Sequence, residues 1–257
     1  MLAELVEYLL TPCGKPARRL GYLRESVAIR ARHRRCGQAW APHLARCRDI
    51  ILQAAEACPK RDLVLVLGSG ALLDIPLPAL AAMFRQVILA DLVHPLTARR
   101  QARALPNVGL VEADLSGALP EVLARKAHPV PPPVELFMDL APDLTVSANL
   151  LSQLPLLPSQ GLAKAGCEPK DVEAFAVGLM RRHLDWLRRL PGVVCLITDI
   201  SRTVGQETTD LVHGLAPEVT GQTWPWLIAP CPELYPDRDV SHLVSGVIWT
   251  RGAQASR

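Results

Sequence analysis

Residues 62–91 read DLVLVLGSGALLDIPLPALAAMFRQVILAD, and the sequence of apolar run, glycine turn, helix and second apolar run decides the fold. Asp62–Leu67 is short and apolar without alternation, as expected of a strand covered on both faces. Gly68-Ser69-Gly70 follows, where two residues without a Cβ let the chain turn sharply and bring backbone close to a ligand. Pro78–Phe84 reads as a helix, and Gln86–Ala90 as a second strand that ends at Asp91. Strand, crossover helix and strand make a parallel pair with a right-handed connection.

The alternation continues toward the C-terminus. Leu96–Ala104 reads as a helix and Val108–Glu112 as a third strand, ending near Asp114. A fourth strand falls within Leu136–Ser147, where periodicity leaves Leu136–Met138, Leu144–Ser147 or both as candidates. Before it, His128–Pro133 (HPVPPP) reads as an extended spacer. Pro169–Leu190 carries Val172, Ala176, Leu179, His183, Leu187 and Leu190 on one helical stripe, and Pro191-Gly192 closes it. Val193–Thr198 is a fifth strand ending at Asp199, and Thr223–Ala229 with His242–Thr250 suits an antiparallel pair.

Toward the N-terminus the pattern changes. Trp40, Leu44, Cys47, Ile51 and Ala55 recur at spacings of three and four, so residues 1–58 read as helical until Pro59. Between Lys15 and Arg48 stand ten Lys or Arg and a single acid, Glu25, which leaves 18 of the 28 basic residues against 24 of the 25 acidic ones elsewhere. The extension is basic and the body acidic, so the extension suits an anionic partner or the body itself.

At 257 residues and 49% hydrophobic content, the chain can bury a large core. It holds no apolar run long enough for a membrane span and no secretory leader pattern, so no membrane partner and a cytoplasmic location are expected. The seven cysteines include no CxxC pair, and the seven histidines show no ligand spacing, so no metal site is expected. Cys36, Cys47 and Cys58 recur every 11 residues and read as small apolar residues facing a core.

The polar residues that end these strands stand where an open α/β sheet binds ligands, beyond the carboxyl ends of the strands. With the glycine turn, ILAD and VEADL in this order, the sequence resembles the class I S-adenosylmethionine-dependent methyltransferases over about Asp62–Arg251. The resemblance implies an α/β, Rossmann-like doubly wound, mostly parallel seven-stranded sheet with an antiparallel last strand. The helical extension of residues 1–59 would precede a cofactor-binding domain of residues 60–257. It implies that Leu67, Gly68, Ser69 and Gly70 wrap the methionine part of S-adenosylmethionine. Asp91 with Leu92 would hold the ribose, and Asp114 with Leu115 the adenine. Asn149, in DLTVSANLLSQLP, would lie beside both cofactor and nucleophile, with Asn149 and Gln153 orienting the acceptor for in-line attack.

Two positions depart from the family pattern: Val66 replaces the acid before the first glycine, and Leu72 stands for the third glycine. His183 falls on an apolar stripe and reads as a structural histidine; Asp199 reads equally as a pocket residue or a turn cap. The acceptor is expected to be a small molecule or a protein. RNA bound through residues 15–48 ranks behind, because only 4% of residues are aromatic and the loop is Asn-Leu-Leu-Ser. A homodimer is the remaining partner reading. The rival functions are a nicotinamide oxidoreductase, which would need glycine in place of Leu73, and a silent methyltransferase-like binding protein.

Overall fold

The computed structural model describes residues 2–125 and 136–250. The proline-rich His128–Pro133 and the end of the resemblance at Arg251 lie outside the described residues. In chain order the elements are α1 (Leu2–Leu10), α2 (Lys15–Leu20), α3 (Tyr22–Glu56), β1 (Leu63–Leu67), α4 (Leu77–Met83), β2 (Gln86–Asp91), α5 (Leu96–Arg103), β3 (Val108–Glu112) and α6 (Leu119–Leu123). After a 3-10 turn at Met138–Leu140 come β4 (Leu144–Ala148), α7 (Leu156–Lys164), α8 (Pro169–Arg189), β5 (Val193–Val204), β6 (Glu207–Asp210), α9 (Ala216–Val219), β7 (Gln222–Ala229) and β8 (Val240–Thr250).

The sheet runs β3-β2-β1-β4-β5-β8-β7, with β1 to β5 parallel and β8 antiparallel to both of its neighbours. This is a Rossmann-like doubly wound sheet with an antiparallel last strand. It has eight strands, one more than the seven expected. The extra strand is β6, which folds back on an extended β5 from Ser201↔Asp210 to Val204↔Glu207. Glu-Thr-Thr-Asp is polar and exposed on every side, so it lacks the apolar alternation by which a strand is read. The fourth strand is Leu144–Ala148, and Met138 belongs to the 3-10 turn.

Alternate residues of β1 feed two cores. Val64 and Val66 face α3, α4 and α5, while Leu63, Leu65 and Leu67 face α8 and α9. All five are buried, which explains the uninterrupted apolar run.

The extension is three helices, and its long member α3 crosses the sheet face. Ile50, Ile51, Ala54 and Ala55 are almost wholly buried there, and the Trp40 indole N–H donates to the Ile228 carbonyl at 2.9 Å. Cys36, Cys47 and Cys58 all lie in that core. At Cys36 the backbone leaves helical geometry (φ −108°, ψ 15°). Pro42 lies six residues on; it lacks an N–H for the carbonyl one turn back and crowds it, which favours a bend in this part of the helix. Among the described residues, no helix is long and apolar enough to cross a membrane.

Candidate functional site

The strand order reverses between β1 and β4, and a cleft opens there beyond the carboxyl ends of the strands. The glycine turn forms one wall. Gly68 has φ +74°, and a Cβ on it would lie 3.2 Å from the Ala148 carbonyl oxygen and from Leu150 Cβ, so only glycine fits beside the loop after β4. Gly70 N–H donates to Asp91 Oδ2 at 2.7 Å, and Val93 N–H donates to Asp91 Oδ1 at 3.3 Å. The glycine turn and the acid that ends β2 therefore meet directly. Burial pushes the Asp91 carboxyl above the ordinary carboxylate range, and the Gly70 N–H opposes that shift. Each carboxylate oxygen has a second lone pair for a ligand hydroxyl. Ser69 is 1% exposed, and among the described residues its hydroxyl has no hydrogen-bond partner.

Asp114 is occupied locally. Its Oδ1 accepts from Ser116 N–H (3.1 Å) and Ser116 Oγ (2.5 Å), and its Oδ2 accepts from Leu119 N–H at 2.9 Å, which caps the start of α6. The extension reaches the same place. Tyr22, the first residue of α3, bonds Ser116 and is close enough to Asp114 and Asp91 for both carboxylates to raise its hydroxyl pKa, with burial the larger cause. Leu92 packs, as Tyr22, Tyr8 and Cys13 do, against the cluster of Ala17, Leu23, Val27 and Val93, whereas Leu115 and Leu67 lie in the core on the α8 face.

Asn149 sits just past β4 at φ +49°, a left-handed conformation that asparagine tolerates well. Its N–H donates to the Ile197 carbonyl at 2.8 Å, and its Nδ2 donates to Asp74 Oδ2 at 2.7 Å. Its Nδ2 is also 4.0 Å from Cys47 Sγ. Cys47 Sγ is 3.5 Å from His43 Nε2, and the His43 ring stacks on Trp226 with centroids 4.0 Å apart and planes 6° from parallel. Trp226 meets the His242 ring edge-on at 5.8 Å, and His242 Nδ1 is 3.2 Å from Asp199 Oδ2. Asp199 stands at the irregularity where the β5–β8 register shifts, a device that re-aims a side chain. These side chains form one circuit beside the cleft, under α3.

Gln153 is exposed on the following turn, and among the described residues no hydrogen bond joins its side chain to Asn149. His183 is 2% exposed and shares a 2.9 Å hydrogen bond with the Ser147 hydroxyl. Val66 is fully buried in the α3 core, where a carboxylate would lack solvation. Leu72 adopts φ +60°, a left-handed conformation uncommon for a residue with a side chain, and is buried.

Sequence reading missed Asp74, His43, Trp226 and His242. Asp74 left a signal, a single acid inside the apolar run ALLDIPLP, since buried acids are rare without a role or a partner. His43, Trp226 and His242 left none, because only the packing of α3 and the pairing of β7 with β8 bring them together. A cavity of about 200 Å³ borders the glycine loop, lined by Ala71, Leu73, Thr97, Arg30, His33 and Arg34 among others.

No protein-family model matches the chain, and no curated protein does. Among solved structures it is similar to DhpI in complex with S-adenosylhomocysteine (15% identity, 85% of this chain and 93% of that one, TM-score 0.40). It is also similar to a Burkholderia thailandensis 1,6-didemethyltoxoflavin-N1-methyltransferase (14%, 91% of both chains, TM-score 0.43) and to the N-methyltransferase NodS from Bradyrhizobium japonicum WM9 (11%, 79% and 85%, TM-score 0.37). Identities this low, with TM-scores under 0.5, leave the functional reading to the site's own geometry. By that geometry the chain is a Rossmann-like α/β protein whose polar residues gather at the switch point of its sheet.

Proposed function

We propose that this protein is an S-adenosylmethionine-dependent methyltransferase. In this reading residues 60–257 form the cofactor-binding domain and residues 1–59 a helical cover over the cleft. The observation that carries the reading is the 2.7 Å hydrogen bond from Gly70 N–H to Asp91, which joins the glycine turn to the acid that ends β2 at the switch point. The unpartnered Ser69 hydroxyl and the bare turn at Gly68 and Gly70 fit a ligand that lies against the backbone.

Leu67, Gly68, Ser69 and Gly70 would hold the methionine part, Asp91 and Leu92 the ribose, and Asp114 and Leu115 the adenine edge. When bound, the cofactor supplies a methyl group already activated on a sulfonium. The chain must align a nucleophile with that methyl and keep water out. Asn149, fixed by Asp74 and by its own N–H, suits the alignment, and the cover formed by α3 suits the exclusion. Gln153, exposed on its turn, has less support in this role. With Val66 buried in the core, the cofactor's amino group would be met by other residues.

A small-molecule acceptor fits better than RNA. Several arginines of the basic segment already have partners within the chain: Arg30 pairs with Glu7, Arg34 with Glu4 and Glu7, and Arg32 and Arg35 with Glu233. Isothermal titration with S-adenosylmethionine, S-adenosylhomocysteine and NAD tests the proposal. The first two should bind in the micromolar range and NAD should not. A folded protein that binds neither of the first two would overturn it and favour the silent binding protein.

A further inference from the structure

Around the circuit that runs from Asn149 through Cys47, His43, Trp226 and His242 to Asp199, three polar atoms, Asn149 Oδ1, Asp199 Oδ1 and Trp226 Nε1, are buried without a hydrogen-bond partner among the described residues, while His242 Nδ1 is 3.2 Å from Asp199 Oδ2. Asp199 is 3% exposed and Trp226 is 7% exposed. Buried polar atoms in native proteins usually have partners, because an unmade bond leaves the group's desolvation uncompensated. The two acceptors, Asn149 Oδ1 and Asp199 Oδ1, point to a ligand that donates to them.

The donor and acceptor inventory names the ligand's chemistry. A carboxylate only accepts, so Asp74 Oδ2 holds the Asn149 amide by its N–H2 and leaves Oδ1 as a free acceptor. Asn149 N–H bonds Ile197 O, two residues before Asp199 on the adjacent strand, so Asn149, just past β4, stands beside the part of β5 that carries Asp199. Two neighbouring acceptors call for two N–H donors on one atom, which an amine carries and a hydroxyl does not. The carboxylates of Asp74 and Asp199 disfavour an anion and suit a cation.

Resting on the methyltransferase reading above, we infer that the methyl acceptor is a small primary or secondary amine held by Asn149 and Asp199, with Asp199 taking a proton from it. The balance is complete. The ammonium gives one proton to Asp199, the freed nitrogen lone pair forms the new C–N bond while the methyl–sulfur bond breaks, and the sulfur leaves as a neutral thioether. The methylated ammonium leaves as the charged product, and Asp199 gives the proton it took to water. His242, beside Asp199 Oδ2, keeps that carboxylate oriented as a positioning residue.

The test is calorimetric titration of the full chain, with and without saturating S-adenosylhomocysteine, against benzylamine and a panel of aliphatic primary and secondary amines, each matched with its alcohol and its carboxylate. At least one amine should bind tenfold or more tighter than its matched alcohol and carboxylate, and Asp199→Asn should weaken it at least tenfold while S-adenosylhomocysteine affinity stays within twofold. Equal binding of alcohols, binding of no amine, or an Asp199→Asn protein that folds and binds amines undiminished would each overturn the inference. The amine-against-alcohol arm needs no variant, so it decides the matter if Asp199→Asn does not fold. Absence of S-adenosylhomocysteine binding would instead strike the methyltransferase reading, and the cofactor-free arm tells the two apart.

Discussion

Asp91 is the residue on which most of the account turns, because one carboxylate both shapes the glycine turn and would hold the ribose. Asp91→Asn keeps an oxygen for the Gly70 N–H but loses the charge. A hydrogen bond to a charged group contributes about 1.5–3 kcal/mol, so S-adenosylhomocysteine affinity should fall at least about tenfold. Asp114 should behave differently, since its oxygens already cap α6. Asp114→Ala removes a cap worth about 1 kcal/mol, so thermal unfolding should shift down by about 2–4 °C, with a smaller loss of affinity than at Asp91. His43 and His183 give a pH signature. Burial pushes both down to about 3 from an ordinary 6.5. The unfolded chain binds their protons below pH 6.5, whereas the folded chain does not until about pH 3. Their contribution is therefore whole above pH 6.5 and is lost as pH falls toward 3, at up to about 1.4 kcal/mol per pH unit for each. Urea midpoints measured from pH 7 to pH 4 should fall, and His183→Gln, which can still bond Ser147, should flatten the slope.

Among the elements, α3 links extension, acceptor side and sheet. Its first half is held to the loop between β7 and β8 by Glu233, which pairs with Arg35 at 2.6 Å and Arg32 at 3.5 Å, near the break at Cys36. Arg35 is half exposed, so the cluster adds less than about 1 kcal/mol to global stability. Glu233→Gln should barely move the melting temperature yet speed amide exchange through residues 22–35 relative to residues 44–56, by local opening. Exchange equal in both halves would count against a separable cover. The elements also show how far sequence can be read. Strands that are apolar throughout, such as Val64–Leu67 and Val193–Ile197, and the long stripe of α8 stand out, because burial on two faces or one stripe leaves a periodic trace. β6 leaves none, being polar and exposed, and α7 is short with a mixed face. Gly68 and Asp91 were legible because each follows an apolar run, and Asn149 through the resemblance carried by DLTVSANLLSQLP; the circuit through His43, Trp226 and His242 was not, because residues up to 199 positions apart meet only through tertiary packing.

For the whole molecule, part of the positive charge of residues 15–48 is met inside the chain, Arg32 and Arg35 by Glu233 of the body and Arg24, Arg30 and Arg34 by acids of the extension itself. Electrostatic binding to RNA should therefore be weak, with a shallow dependence of association on salt, since few phosphates would displace the existing carboxylate partners. Ligand binding should act on the global equilibrium. At S-adenosylhomocysteine about 100-fold above its Kd, the folded state gains about 2.7 kcal/mol, a rise of roughly 5–10 °C in the melting temperature. The most direct measurement is a crystal structure of the full chain with S-adenosylhomocysteine. The ribose hydroxyls should lie within hydrogen-bond distance of Asp91, the methionine part against Gly68–Gly70, and the sulfur should face Asn149. Density for the ligand elsewhere, or a ribose that leaves Asp91 bonded only to Gly70 and Val93, would contradict this placement.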